Sequence, residues 1–520
     1  MYVEHQTKLL PKLLSESNEL KRVASKLCGV AHNRIVQVDV VKRSIDARHS
    51  PVMFNLTLGI HIDEIENPPA LFTPNYRDVS NAKSAVVVGA GPAGLFAALQ
   101  LIESGIKPII FERGKCVEER RKDLGLLYKT GVVNPDSNFG FGEGGAGTFS
   151  DGKLFTRSKK RGNVRRALEI LVHFGAPEVI LRDSHPHIGT DKLPHVISNI
   201  RRAIERYGGE VHFSNRVESL LLHNNKICGV VANGIEYKTD AVILATGHSA
   251  RDIYRMLNSS GIYIEPKEFA VGMRLEHPQH EIDVMQYHTS EGRGKYLPAA
   301  EYSFVTNICG RGVYSFCMCP GGVVVPAATN NGEQVVNGMS SSARNTPWSN
   351  SAIVTSVGKE ELELLNHHGI FAGMEFQEEL ERLAYTRAGG KLFAPAQRVV
   401  DYLNHKESTN FPKTSYKPGI TPSPIDRWFP EPLNSRLREG LQQFGRKAKG
   451  FISPNAVLLG VETRTSSPIR VPRTPETLEH PDISGLYPCG EGAGYAGGII
   501  SAAMDGEACA IKLAEKFLTK

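Results

Sequence analysis

Four side chains have the types and settings for acid–base or anion chemistry. Glu462 and Arg464 sit in VLLGVETRTSSP (457–468), at the end of an apolar run. Arg274 and His277 sit in PKEFAVGMRLEHP (266–278). A guanidinium grips a carboxylate through two parallel hydrogen bonds, or stabilises a developing anion. An imidazole, with its ordinary pKa near neutrality, can protonate a reduced double bond. The same residues also suit a buried Glu–Arg pair fixing a loop and a structural histidine. Cys317 and Cys319 flank one methionine; in a strand they would point to one face, as thiols that act or as small buried apolar groups. His185, His187 and His195 come with no cysteine or acid cluster and no common ligand spacing, so no metal is expected.

These groups need a frame, and the frame is read at 85–112, AVVVGAGPAGLFAALQLIESGIKPIIFE. An apolar run ends in Gly89-x-Gly91-x-x-Gly94, a helix pattern follows, and a second apolar run closes on Glu112. Gly89 makes the turn, Gly91 lets a pyrophosphate reach the backbone, and Gly94 lets helix and strand pack closely. Pro92 and Ala93 open the helix, whose free amides face the phosphates. A carboxylate at Glu112 accepts hydrogen bonds from ribose hydroxyls and disfavours a 2′-phosphate. The pattern predicts an adenine dinucleotide. The uncharged stretch 84–102 is long enough to cross a bilayer, but its central glycines and proline split it into strand and helix, so no membrane insertion is expected.

Bulk properties set outer limits. The chain has 520 residues, enough for two or three domains, with 41% apolar and 22% charged residues and a formal net charge of +6. That charge permits an anionic substrate or nucleic acid without requiring either. Eight scattered cysteines without a CxxC pair, and no signal-peptide pattern at the start, point to a reduced cytoplasmic setting.

Four segments are expected. Residues 1–80 read as a small α/β module, ferredoxin-like, with a helical stripe at 18–30, strands at 35–41 and 52–62, and a proline-rich exit, ENPPALFTPNY (66–76). Its Asp46 and Arg48 read as a structural turn pair. Residues 81–259 hold the dinucleotide unit, a charged helix bearing Arg120, and the loop FGFGEGGAGTFSDGKL (139–154). Five glycines from Gly140 to Gly147 leave backbone amides open to a ligand. Gly144, Gly145 and Thr148 there, with Arg113 beside Glu112, join the candidate cofactor contacts, while Glu143, Ser150 and Asp151 read as support. Short strands follow to DAVILATG, with Thr246 and Gly247 at its end. Residues 260–450 read as an inserted α+β substrate domain, strands first and helices later. Residues 451–520 return to the dinucleotide domain through LYPCGEGAGYAGGIISAA (486–503), where Gly498 and Ile499 start a helix of small residues. The fold class expected is α/β, with a discontinuous Rossmann-like domain, an insert and the N-terminal module.

Together these motifs resemble the uncharacterised FAD-dependent dehydrogenases of bacteria and plastids. The resemblance rests on GAGPAG with Glu112, FGEGGAGTFSDGKL, HIGTDKL, ATG, EFAVGMRLEHP, YSFCMCPGG, NGMS, VETRTSSP and GLYPCGEGAGYAGGIISAAMDG, and runs from about residue 35 to 515. More widely the chain is similar to flavoproteins of glutathione-reductase-like fold. That resemblance implies FAD as cofactor, with Val217 meeting the adenine by its backbone and Gly490-Glu491 near the pyrophosphate. The family's usual acid there is Asp, so Glu491 is a departure.

With FAD, the chemistry implied is hydride exchange at flavin N5 with a small, anionic metabolite. Glu462 and Arg464 would reach the flavin edge. No second strand–turn–helix–strand unit with an acidic terminus is found and no CxxxxC pair, so NADH or NADPH would be a transient donor without its own domain. Two alternatives stand beside this: an FAD-dependent RNA-modifying protein gripping RNA through Lys8, Lys12, Lys21, Arg22, Lys26, Arg34, Lys42 and Arg43, and a flavin-bearing redox-sensing subunit. Acids interleave those basic residues and aromatics are few, so nucleic acid is not the expected partner. Substrate identity and oligomeric state have no sequence signal.

Overall fold

Runs such as AVVV and PIIF are apolar on both faces, which suits strands covered from both sides. In the computed structural model, which describes residues 1–65, 72–157 and 162–518, they form the centre of a five-stranded parallel sheet. Its spatial order is Leu486–Pro488, Val242–Leu244, Ser84–Val88, Lys107–Phe111, Glu210–His212. The chain steps outward on one side of Ser84–Val88, then returns to fill the other. A crevice therefore opens at the carboxyl end of Ser84–Val88, the switch point where such sheets bind ligands.

Glycines let the layers meet. A Cβ at Gly94 would lie 1.9 Å from the Gly89 carbonyl oxygen, and one at Gly506 would lie 2.0 Å from that of Ala93. Helix Pro92–Glu103 can thus press on its own turn, and helix Ile499–Leu518 on it. Helices Val164–His173 and Leu193–Arg206 complete that face through Ile170, Leu171, Ile197 and Ile200. An antiparallel meander, Val217–His223, Lys226–Ala232 and Ile235–Lys238, packs with the opposite face. No helix among the described residues is long and apolar enough to cross a membrane.

The second sheet has seven strands, in the order Val305–Ile308, Arg311–Cys319, Trp348–Val357, Phe269–Pro278, Val457–Glu462, Ala394–Arg398, Ile420–Pro422. Only the last pair is parallel. Helices Ala372–Arg387 and Leu433–Lys447 share its core. Val457–Glu462 lies inside this sheet, between Phe269–Pro278 and Ala394–Arg398. The return to the first sheet therefore comes at Leu486–Pro488, later than residue 451. The short pairing of Glu265–Pro266 with Ile469–Arg470 ties the outgoing and returning chains together.

The N-terminal module is strand Tyr2–Leu9, helix Ser17–Cys28, and strands Ile35–Asp46 and Met53–Ile62, with the last strand central. The opening strand has no counterpart in the sequence reading. Three strands and one α-helix fall short of the ferredoxin-like βαββαβ pattern. Asp46 takes a two-pronged contact from Arg48, at 2.8 and 2.7 Å, the structural pair expected. Residues 66–71 of the proline-rich exit lie outside the described residues.

Candidate active site

A cavity of about 1800 Å³ runs from the switch-point crevice to the second sheet and the N-terminal module. At the dinucleotide end it is lined by Gly89, Gly91, Pro92, Ala93, Glu112, Arg113, Gly145, Val217, Thr246, Gly247, Glu491, Gly498 and Ile499. Glu112 is pinned by backbone amides: Ala90 N donates to one oxygen at 2.9 Å, and Gly114 N and Gly142 N to the other at 2.9 and 3.0 Å. Its remaining lone pairs are free to accept ribose hydroxyls. Arg113 is engaged with Asp136 and Asp252 and lies 4.2 Å over the Phe141 ring. Glu491 lies 3.5 Å from His248.

The floor is a cradle without side chains. A Cβ at Gly91 would meet only the Gly145 Cα, at 4.0 Å, and one at Gly497 or Gly498 would meet nothing within 4 Å. Side chains are absent where the fold has room for them, as a phosphate-bearing ligand against the backbone requires. The donor set fits an adenine dinucleotide.

Other expected contacts lie behind this wall. Arg120 is fully buried and does not line the cavity. Its guanidinium donates to the carbonyls of Asn138, Phe139, Gly142, Glu143 and Gly145, at 2.8–3.2 Å. Burial pulls its pKa down to about 10. Arg120 is therefore a staple for the glycine-rich loop, a correction to its reading as a ligand contact. Thr148 is buried, with Oγ1 on the Glu143 carbonyl, and Gly144 N donates to the Ala90 carbonyl. Gly490 N donates to Asp505 at 2.7 Å. Gly94 serves packing, as above. Glu143 accepts from Val117 N and Arg201, in line with support.

The candidates for chemistry separate. Glu462 and Arg464 line the cavity, yet neither is free. Glu462 takes Arg274 Nε at 2.9 Å and Nη2 at 3.1 Å. Its partner is Arg274, 188 residues away, rather than Arg464. Arg464 donates to Glu381, Glu333 and Thr329, and Glu381 also pairs with Arg251. Burial alone would raise the Glu381 pKa, but Arg251 and Arg464 outweigh it and hold it low. Arg464 so joins helix Ala372–Arg387 to the loop holding Glu333, where a free carboxylate grip was expected. Arg274 is fully buried and also holds Asn350, Asn337 and the Cys317 carbonyl. His277 is likewise buried away from the cavity, its Nε2 2.8 Å from the Phe451 carbonyl oxygen and its ring among Tyr302 and Phe451. Burial pushes its pKa down. It is a core histidine, and its reading as a general acid is corrected.

Cys317 and Cys319 both line the cavity, but unequally. A bulge lies between Phe316 and Cys319, and Cys317 has φ +46°, so its side chain opens into the cavity while Cys319 is buried. The sequence reading missed the polar insert wall: Lys153, the Asp151–Arg344 pair and the His185–Glu301 pair. Asp151 and Lys153 stand in the loop already singled out, and only the pairing of 152–154 with 186–188 brings them to His187. Cys489, Asp505 and Cys509 have ligand atoms within 4.8 Å of one another, but Arg473 donates to Asp505 at 2.5 Å and to Cys509 Sγ at 3.3 Å, in the place of a cation.

Residues 83–277 match the pyridine nucleotide-disulphide oxidoreductase family, and residues 268–465 the family described as FAD-dependent protein, C-terminal domain-like. Residues 1–61 match a domain of unknown function. An uncharacterised protein of Clostridium beijerinckii is 41% identical over 97% of this chain and 98% of its own length. The chain belongs to a family of FAD-dependent oxidoreductases. Among solved structures, CtdE in complex with FAD is 11% identical, covering 83% of this chain and 84% of that one, with a TM-score of 0.33. L-proline dehydrogenase from P. horikoshii is 13% identical, with 84% and 94% covered and a TM-score of 0.32. In this oxidoreductase FAD would be held by the glycine cradle and Glu112, and the second sheet supplies the far wall of the cavity.

Proposed function

We propose that this oxidoreductase exchanges a hydride between FAD and a small anionic metabolite held at the insert end of the cavity. The observation that carries the reading is continuity: one cavity joins the glycine cradle to a polar chamber lined by Lys153, His185, His187, Glu301 and Arg344. Bound FAD supplies hydride exchange at N5. The chain binds and orients the substrate and keeps out water. Val217 and Glu491, on the cavity wall, are proposed as adenine and pyrophosphate contacts in the glutathione-reductase-like manner. NADH or NADPH is proposed as a transient donor that enters the same cavity, because the described residues hold one parallel nucleotide-type sheet. A cytoplasmic setting goes with this reading.

The basic side chains of the N-terminal module favour it over RNA modification. Lys8 pairs with Asp46, Arg22 with Glu19, Arg34 with Asp63 and Arg43 with Asp183, so half of the eight cations that would grip RNA already face a carboxylate. The test is anaerobic mixing of FAD-loaded protein with NADH and with NADPH. Fast bleaching of the visible flavin band by one of them is expected. A flavin that stays oxidised with both overturns the donor reading and favours a redox-sensing subunit.

A further inference from the structure

The insert end of the cavity holds one lysine that stands outside its ion pairs. Each acid on that wall meets a basic side chain. Asp151 is gripped by Arg344 at 3.0 and 2.5 Å, Asp183 by Arg43 at 2.8 and 2.7 Å, Glu462 by Arg274, and Glu301 meets His185. Lys153 lines the same wall, half-buried. Among the described residues its ammonium has no hydrogen bond or ion pair. Its place is fixed by the backbone: Leu154 N donates to the Pro186 carbonyl at 2.9 Å and Ile188 N to that of Gly152 at 3.1 Å, which sets Lys153 opposite His187. His187 offers no negative charge. Its Nε2 is taken by the Ser342 carbonyl, and burial with Arg344 holds its pKa down.

Cys317 completes the recess. A non-glycine residue at φ +46° is strained, and here the surroundings impose it. Arg274 Nη1 and Cys319 Sγ both donate to the Cys317 carbonyl, at 3.3 and 3.4 Å. With the carbonyl turned inward, the thiol faces the cavity. The charge of Lys153 is felt at the Cys317 and Cys319 thiols and at His185 and Glu301, so one ammonium serves the whole recess. Among the described residues no carboxylate is in ion-pair contact with it, and Asp151 and Glu301 feel its charge only at longer range. A partly desolvated cation of this kind is stabilised by a mobile anion.

We infer that the recess between Lys153 and Cys317 binds a small oxyanion carried by the substrate, held by the Lys153 ammonium with the Cys317 thiol against its carbon skeleton. Arg274 and Glu462 act here as positioning residues for Cys317. The inference deepens the proposed function and rests on the insert end of the cavity being the substrate end.

The test alkylates FAD-loaded protein with iodoacetate, which is anionic, and with iodoacetamide, which is neutral, and reads each cysteine peptide by mass spectrometry. The exposed Cys228 is the internal reference. The iodoacetate-to-iodoacetamide ratio at Cys317 is expected to exceed that at Cys228. It should fall about tenfold in Lys153→Met, the effect of one charge at short range in a partly buried site, and be retained in Lys153→Arg. Benzoate and inorganic phosphate serve as competitors: protection by benzoate marks a carboxylate substrate, and protection by phosphate alone a phosphorylated one. An equal ratio in wild type and Lys153→Met overturns the inference, as does labelling that neither anion slows or a Cys317 that neither reagent reaches. Reduction by NADH or NADPH in the same preparations is scored separately. A flavin that resists both, beside a Lys153-dependent ratio, removes the donor and leaves the oxyanion site standing.

Discussion

Arg274→Met is the sharpest probe of how the second sheet is held together. Arg274 and Glu462 are 0% and 3% exposed. Burial opposes charge on the guanidinium, but Glu462 more than offsets it and holds the pKa above its ordinary value. Methionine replaces most of the aliphatic stem and removes every donor. Glu462 then keeps a buried carboxylate with no counter-charge, and breaking a buried pair in this way costs ~3–5 kcal/mol. Asn350, Asn337 and the Cys317 carbonyl lose a donor as well, at ~1 kcal/mol or more each. Glu462→Leu alone strands the guanidinium instead, with a similar loss. In the double variant neither charge remains, so its destabilisation should fall short of the sum of the singles by ~3 kcal/mol. Trp348 and Trp428 are the two tryptophans of the chain, and both lie in the insert. Their fluorescence during urea unfolding, at fixed FAD, therefore reports this domain. Additive losses, or an Arg274→Met protein within about 1 kcal/mol of wild type, would refute the reasoning.

Three further outcomes are expected. Glu276 is buried and accepts from Ser415 N and Oγ, yet burial outweighs those bonds and lifts its carboxyl from 4.5 to about 7. The folded state then holds its proton more tightly than the unfolded state, so stability should drop by ~3 kcal/mol as pH rises through that window. Glu276→Gln should flatten the drop and be the more stable protein at the alkaline end; identical urea midpoints across pH would refute this. Gly94→Ala forces a methyl against the Gly89 carbonyl and should lower the melting temperature and FAD content together, so a variant with wild-type values of both contradicts the packing argument. Arg43→Ala cuts the two-pronged tie between the N-terminal module and Asp183, and hydrogen exchange in strand Ile35–Asp46 should rise by ~10-fold or more, whereas unchanged exchange would mean that the module is held elsewhere.

The dinucleotide half was legible because its signals are local. Strand, glycine turn, helix and Glu112 fall within one short stretch, and each glycine's task follows from backbone geometry. The insert was not, because its site is made by register. Arg274 meets Glu462 only since Phe269–Pro278 pairs with Val457–Glu462, and nothing near either residue announces it. A boundary at 451 leaves 457–462 with the dinucleotide domain for the same reason: its apolar run suits either sheet. Arg120 looked like a surface or ligand-binding arginine in a charged helix, whereas five inward carbonyls of a glycine-rich loop call for one buried donor fork. His277 sits in a strand buried on both faces, where hydropathy alone does not separate a core histidine from a reactive one. Nothing in the sequence around Lys153 marks it out, since a lone lysine after Asp-Gly suits an exposed turn as well as a site. Its meaning comes from the acids around it, all of which have other partners.

The central claim is that the glycine cradle exists for FAD. Gly91 tests it most directly, because the fold itself leaves room for a side chain there: the nearest atom to a Cβ is 4.0 Å away. FAD bound per chain should be measured in wild type and in Gly91→Ala after equilibration, removal of free FAD and denaturation. The account predicts one FAD per wild-type chain, and a Gly91→Ala protein whose apo form melts like wild type but which binds FAD at least about tenfold more weakly. Full FAD retention by Gly91→Ala, or a wild-type chain that takes up none, would contradict it.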